Sequence, residues 1–137
     1  MKWYLPYCLA CLLAGAITPL PVLGAEEIFH AVVDADGKQK VAMLGGSYFF
    51  KPNHIIVKAG IPVELSVRLE PGIIPHTWVI NAPEAGIAID EPLGTEPKAI
   101  AFTPKTPGKY FFYCKNKLLF FKSHREDGMQ GILEVVE

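Results

Sequence analysis

From residue 28 onward the chain alternates apolar and polar positions in short runs separated by turn residues. Residues 62–69 show it most clearly. Val63, Leu65, Val67 and Leu69 fall on one face, and Glu64, Ser66 and Arg68 on the other. That period of two is the signature of a half-buried strand. Residues 28–34, 40–44, 48–50, 55–58, 76–80, 98–103, 109–114 and 131–136 read as further strands. Asp34-Ala35-Asp36-Gly37 signals a hairpin turn between the first two. Gly45-Gly46, Pro52-Asn53, Ala59-Gly60 and Pro71-Gly72 break the chain between later ones. Residues 81–97, with Pro83, Gly86, Pro92, Gly94 and Pro97, read as loop. No window has a helical period, and residues 116–122 are the one candidate for a short helical turn. Eight or nine short strands at this spacing predict an all-β domain, an antiparallel sandwich or barrel.

The first 25 residues follow another pattern. Lys2 is their only charged residue, residues 3–17 are an uncharged and largely apolar run, and Pro19, Pro21, Gly24 and Ala25 lead to Glu26-Glu27. A basic start, a short apolar stretch and a small-residue exit predict a signal peptide over 1–25, with cleavage after Gly24 or Ala25. The alternative is an uncleaved anchor, but the run falls short of the ~20 residues of a span. One domain is then expected over 26–137, in an exported, periplasmic protein.

Export changes the cysteine count. Cys8 and Cys11 lie inside the expected signal, so the mature chain keeps Cys114 alone. Structural cysteines in oxidising compartments come in pairs. A single thiol points to an intermolecular bridge, a reactive nucleophile or a metal ligand. The mature chain carries 12 basic against 14 acidic residues, a balance that argues against nucleic acid as a partner.

Cys114 opens a stretch that reads C-x9-H-x4-M, with His124 and Met129, in the connection between the last two strands. His76 stands 38 positions before Cys114, at the start of another strand after Pro75. Taken singly, each of these residues reads as structural. Together, two imidazoles, a thiolate and a thioether are the soft, mixed donor set that suits one copper ion. His30 and His54 have no such company and read as structural or solvent-facing; Met43 and Trp78 read as core.

These residues carry a resemblance to the cupredoxins, the small blue (type 1) copper proteins. It rests on residues 46–60 (GSYFFKPNHIIVKAG), 75–78 (PHTW), 106–114 (TPGKYFFYC) and 124–131 (HREDGMQG). The resemblance implies a Greek-key β-sandwich of about eight strands with copper near one end. It carries His76 over as the isolated ligand and Cys114, His124 and Met129 as the loop ligands. It also suggests the Pro75 carbonyl as a distant axial contact, and the Thr77 N–H as a donor to the Cys114 sulfur. The periplasmic domain of cytochrome oxidase subunit II is similar, but its dinuclear site needs a second loop cysteine, so a mononuclear centre is expected.

The nine residues between Cys114 and His124 exceed the usual spacing of small cupredoxins. They include Leu118-Leu119-Phe120-Phe121, with Lys115, Lys117 and Lys122 around them and Arg125 beyond. This stretch either folds onto its own domain or forms a docking surface for an anionic partner, apolar at the centre and basic at the rim. Its length also raises the expectation of a distorted site. The reading that follows is a one-electron carrier, not an enzyme, working with a cytochrome, oxidase or reductase. Membrane contact is expected only through an uncleaved signal segment. The alternatives are an open copper site that binds or reduces a small molecule, and copper delivery or storage.

Overall fold

A computed structural model describes residues 26–137; the expected signal segment, with Cys8 and Cys11, lies outside the described residues. Ten strands form two sheets. In chain order they are β1 (Ile28–His30), β2 (Gln39–Gly46), β3 (Phe49–Lys51), β4 (His54–Lys58), β5 (Val63–Leu69), β6 (Thr77–Ala82), β7 (Ile87–Pro92), β8 (Lys98–Phe102), β9 (Gly108–Tyr113) and β10 (Gln130–Val136). One sheet has the order β1-β4-β10-β9-β6-β7, and the other β3-β2-β5-β8. The fold is the all-β sandwich expected, with one or two more strands, but its sheets are mixed rather than antiparallel, because β1–β4, β4–β10 and β2–β5 pair in parallel.

Alternation builds the core. In β5 Val63, Leu65, Val67 and Leu69 are buried, and the residues between them are not. The same rule turns Val41 and Met43 of β2 and Leu133 and Val135 of β10 inward. Trp78, Phe112 and Phe50 fill the middle, with Trp78 stacked on Phe112 and Phe50 edge-on to it. Among the described residues both sheets share this one core.

Four local expectations are corrected. Residues 81–97 are not simply loop, because β7 runs through them as an edge strand that buries Ile87 and half-buries Ile89. Its prolines sit where an edge strand tolerates them, Pro83 before it and Pro92 at its last position. Gly45-Gly46 does not break the chain but ends β2, where a Cβ on Gly46 would lie 2.3 Å from the Phe49 ring. Asp34–Gly37 does turn, yet only Val33 and Gln39 pair across it. β1 and β2 go to different sheets because β1 is drawn into parallel pairing with β4. Finally, residues 116–122 form no helical turn but a small hairpin, with Lys117 bridged to Ser123.

The topology sets one end of the molecule apart. Ile28 of β1, His54 of β4 and Ile132 of β10 lie side by side in parallel register. β9 runs antiparallel to β10 and ends there, with Tyr113 opposite Gln130. β6 starts at the same end, and its Val79 faces Tyr113. The residue before β6, the residue after β9 and the residue before β10 are therefore gathered at one pole. They are His76, Cys114 and Met129.

Candidate metal centre

His76, Cys114 and His124 meet at that pole, all three buried. The Nδ1 atoms of the two histidines are 3.1 Å apart. The Cys114 Sγ lies 3.4 Å from Nδ1 of His124 and 3.8 Å from Nδ1 of His76. A point equidistant from the three atoms is about 2.0 Å from each. Metal–imidazole bonds are about 2.0–2.1 Å and metal–thiolate bonds about 2.3 Å, so one ion fits with a small outward shift of the sulfur. Three donors converging on one point form a candidate ligand set. Two imidazoles and a thiolate are chemically suited to copper, and these three residues could hold one copper ion.

Burial, and then the like charge of His124, lower the pKa of His76 below the usual histidine value. The neutral imidazole, whose lone pair a metal needs, is thereby favoured. Met129 is fully buried beside this cluster. Its carbonyl accepts a hydrogen bond from the Cys114 N–H at 3.0 Å, and its own N–H donates to the His124 carbonyl at 2.9 Å. Its backbone is thus tied to both loop donors, although it is separated from Cys114 by 14 intervening residues.

The long loop is closed at its base. The His124 N–H donates to the Asn116 carbonyl at 2.9 Å, and the Lys117–Ser123 bridge follows directly. A second clasp holds the His124 side, where Ser123 donates both its N–H and its hydroxyl to Glu126, each at 2.7 Å. The nine-residue insertion is a hairpin raised on a neck, and Cys114 Sγ and His124 Nδ1 meet beneath it at 3.4 Å.

The Cys114 sulfur has two neighbours besides the histidines. The Thr77 N–H donates to it at 3.4 Å. Asn116 Oδ1 lies 3.3 Å away and accepts the Thr77 hydroxyl at 2.8 Å, while that hydroxyl accepts the Lys115 N–H at 3.2 Å. Sequence reasoning singled out Thr77 but missed Asn116. The available signal was an uncharged amide two places after the cysteine, between two lysines. It also missed Tyr48, whose ring meets the His124 ring edge-on at 5.1 Å from a backbone held at φ +64°. That left-handed conformation is uncommon for a residue with a side chain, and no sequence signal marks it. Pro75 is exposed on the loop that ends at His76.

The remaining predicted residues sit apart from the donors. Lys115 pairs with Asp90, and Arg125 lies over the Tyr113 ring at 4.3 Å. Leu118, Leu119, Phe120 and Phe121 are exposed, so the insertion does not fold onto its own domain. His30 is exposed. His54 is buried between Glu26 at 2.6 Å and Glu134 at 2.8 Å, a structural clamp across β4, β10 and the N-terminal segment.

Solved structures with the same sandwich decide the family. The chain is 30% identical to the metal-binding domain of the Streptococcus pneumoniae D39 Cu(I)-exporting P-type ATPase CopA, solved with Cu(I). That match covers 83% of this chain and 100% of the domain, with a TM-score of 0.61. The chain belongs to the cupredoxin fold family. Two more distant cupredoxins share the fold. Auracyanin from Roseiflexus castenholzii is 16% identical over 72% of this chain and 97% of its own, with a TM-score of 0.56. The periplasmic domain of cytochrome oxidase subunit II from Bradyrhizobium japonicum is 14% identical over 72% and 83%, with a TM-score of 0.51. Neither a family model nor a curated protein matches the sequence.

Proposed function

We propose that this cupredoxin is an exported one-electron carrier of the periplasm that holds one copper ion through His76, Cys114 and His124, with Met129 as the fourth ligand. The convergence of three buried donor atoms on one point at metal-bond radius carries this reading. Copper, when bound, supplies a one-electron couple between Cu(I) and Cu(II). The protein's part is to keep the donors in place through both states. His76 is fixed by the start of β6, Cys114 by the end of β9, and His124 by the Asn116 neck. The Thr77 N–H orients the thiolate. Tyr48 packs against the outer ligand His124 and limits water at its ring. No other cluster of three metal-ligating side chains occurs among the described residues, and nothing in the loop pairs Cys114 with a substrate pocket. A redox protein such as a cytochrome, oxidase or reductase is the partner class this reading implies.

Visible and electron paramagnetic resonance spectra of the copper-loaded protein, with voltammetry, test it. An intense thiolate-to-copper band and a reversible one-electron couple are expected. Absence of both sinks the proposal. A second reading, hand-off of Cu(I), is favoured by the likeness to a metal-binding domain solved with Cu(I). Competition with a Cu(I) chelator separates the two: rapid loss of the metal supports hand-off, and slow loss with a reversible couple supports the carrier.

A further inference from the structure

The hairpin between Cys114 and His124 carries more apolar surface into solvent than a metal centre requires. Leu118, Leu119, Phe120 and Phe121 are 64, 76, 85 and 57% exposed. None of them packs on the core, and the two phenylalanines stack on each other at 5.0 Å. The tip is a tight turn, closed by a hydrogen bond from the Phe121 N–H to the Leu118 carbonyl at 3.0 Å. Lys117 and Lys122 bracket it, and neither makes an ion pair within 4.0 Å among the described residues. Glu126, clasped by Ser123, lies within electrostatic reach of both.

Shape and chain path favour lipid as the occupant. Four contiguous apolar side chains at the tip of a narrow projection, with lysines at its base, suit a medium that the tip can enter. Phenylalanine and leucine reach the acyl boundary, while lysine stems extend to the phosphates. The chain also enters the domain at this same pole, because β1 begins beside the starts of β4 and β10. Glu26 and Glu27 line one cleft with Asp127 and Gly128 of the ligand loop. The 25 residues before Glu26 contain the uncharged stretch 3–17. The exposed Ile73 and Ile74, on the loop that ends at His76, lie at this pole too.

We propose that residues 118–121 are a membrane-insertion tip that docks the metal-bearing pole of the domain on an anionic lipid bilayer. Membrane contact is then not confined to the N-terminal segment, and it depends neither on that segment's fate nor on copper.

Residues 26–137, with and without copper, are sedimented with vesicles of phosphatidylcholine plus phosphatidylglycerol and with vesicles of phosphatidylcholine alone. The mixed vesicles are expected to bind the protein more strongly, and added salt to weaken that binding. The F120S/F121S pair is expected to lower partitioning on the order of 100-fold, with the copper spectrum unchanged. K117Q/K122Q is expected to reduce binding to the anionic vesicles only. Tryptophan emission of F120W is expected to shift to the blue on vesicle addition. The proposal is overturned if the wild type stays in the supernatant with both vesicles, or if F120S/F121S binds as well as wild type. A lipid-independent dimer dissolved by F120S/F121S would also overturn it, by assigning the tip to a second copy of the chain. So would a protein electron acceptor whose rate falls in F120S/F121S while vesicles capture neither form.

Discussion

Cys114 sits where three requirements meet. It follows β9, its N–H is tied to the Met129 carbonyl, and its sulfur faces two imidazole nitrogens and the Thr77 N–H. Replacing it with serine removes the soft donor, so C114S is expected to lose the thiolate-to-copper band while the sandwich still folds, as circular dichroism would show. Thr77 and Asn116 act through the sulfur. The Thr77 hydroxyl holds Asn116 at 2.8 Å, which keeps the amide oxygen beside the thiol. Second-sphere partners of this kind typically change metal affinity by about 10–100-fold. T77V is therefore expected to weaken copper binding by about that factor and to move the thiolate band, measurable by chelator competition and visible absorption. A band and an affinity equal to wild type would show that the Thr77–Asn116 contact is structural decoration.

At the scale of elements, the ligand loop is two objects: a neck that sets the donors and a hairpin that does not. Replacing residues 118–121 with Asn-Gly should leave the Asn116–His124 hydrogen bond in place. The copper spectrum and the reduction potential are then expected to match wild type, and a collapsed spectrum would mean the tip supports the site. The other element-level device is the clamp on His54. Its ring joins Glu26 and Glu134, and Lys109 stands 3.4 Å from Glu134. The hydrogen bond from His54, then Lys109, hold the Glu134 carboxyl below the usual glutamate range. A carboxyl depressed in the folded state binds fewer protons there than in the unfolded chain, so stability rises with pH across that interval. This contribution is present above the ordinary glutamate pKa, about 4.3, and is lost as pH falls through the lower folded value. Thermal unfolding of E134Q from pH 3 to 7 is expected to show a flatter acid limb than wild type.

Across the whole molecule, the core and the site share residues. Phe112 packs against Trp78 and Phe50 and lies two positions before Cys114. A Cβ on Gly131 would lie 2.3 Å from the Phe112 ring, so that ring also sets the approach of β9 to β10. F112A is expected to cost about 3–5 kcal/mol and to loosen the copper site with the fold, read as parallel losses in denaturant midpoint and metal affinity. Conversely, an ion that binds the folded chain alone stabilises it by mass action. Copper is expected to raise the melting temperature of the wild type and to leave that of C114S nearly unchanged, which calorimetry checks.

Much of this was legible from the chain. Period-two alternation in β5, the turn residues and the lone cysteine of residues 26–137 each act within a few positions, so most strands, the all-β class and the candidate donors follow from local physics. β7 escaped because an edge strand flanked by prolines looks like a loop without its neighbour. Gly45-Gly46 looked like a break because the rings that leave no room for a side chain there come from β3. Asn116, placed two residues after Cys114, gains its role only through contact with Thr77, and Tyr48, which no spacing marks, through contact with His124. The pattern of residues was enough to single out His76, Cys114 and His124, which the fold brings together, because copper selects donors by chemistry. Tertiary structure alone decided that the long insertion stands exposed above a closed base, because a neck of two backbone pairings joins the loop beneath it.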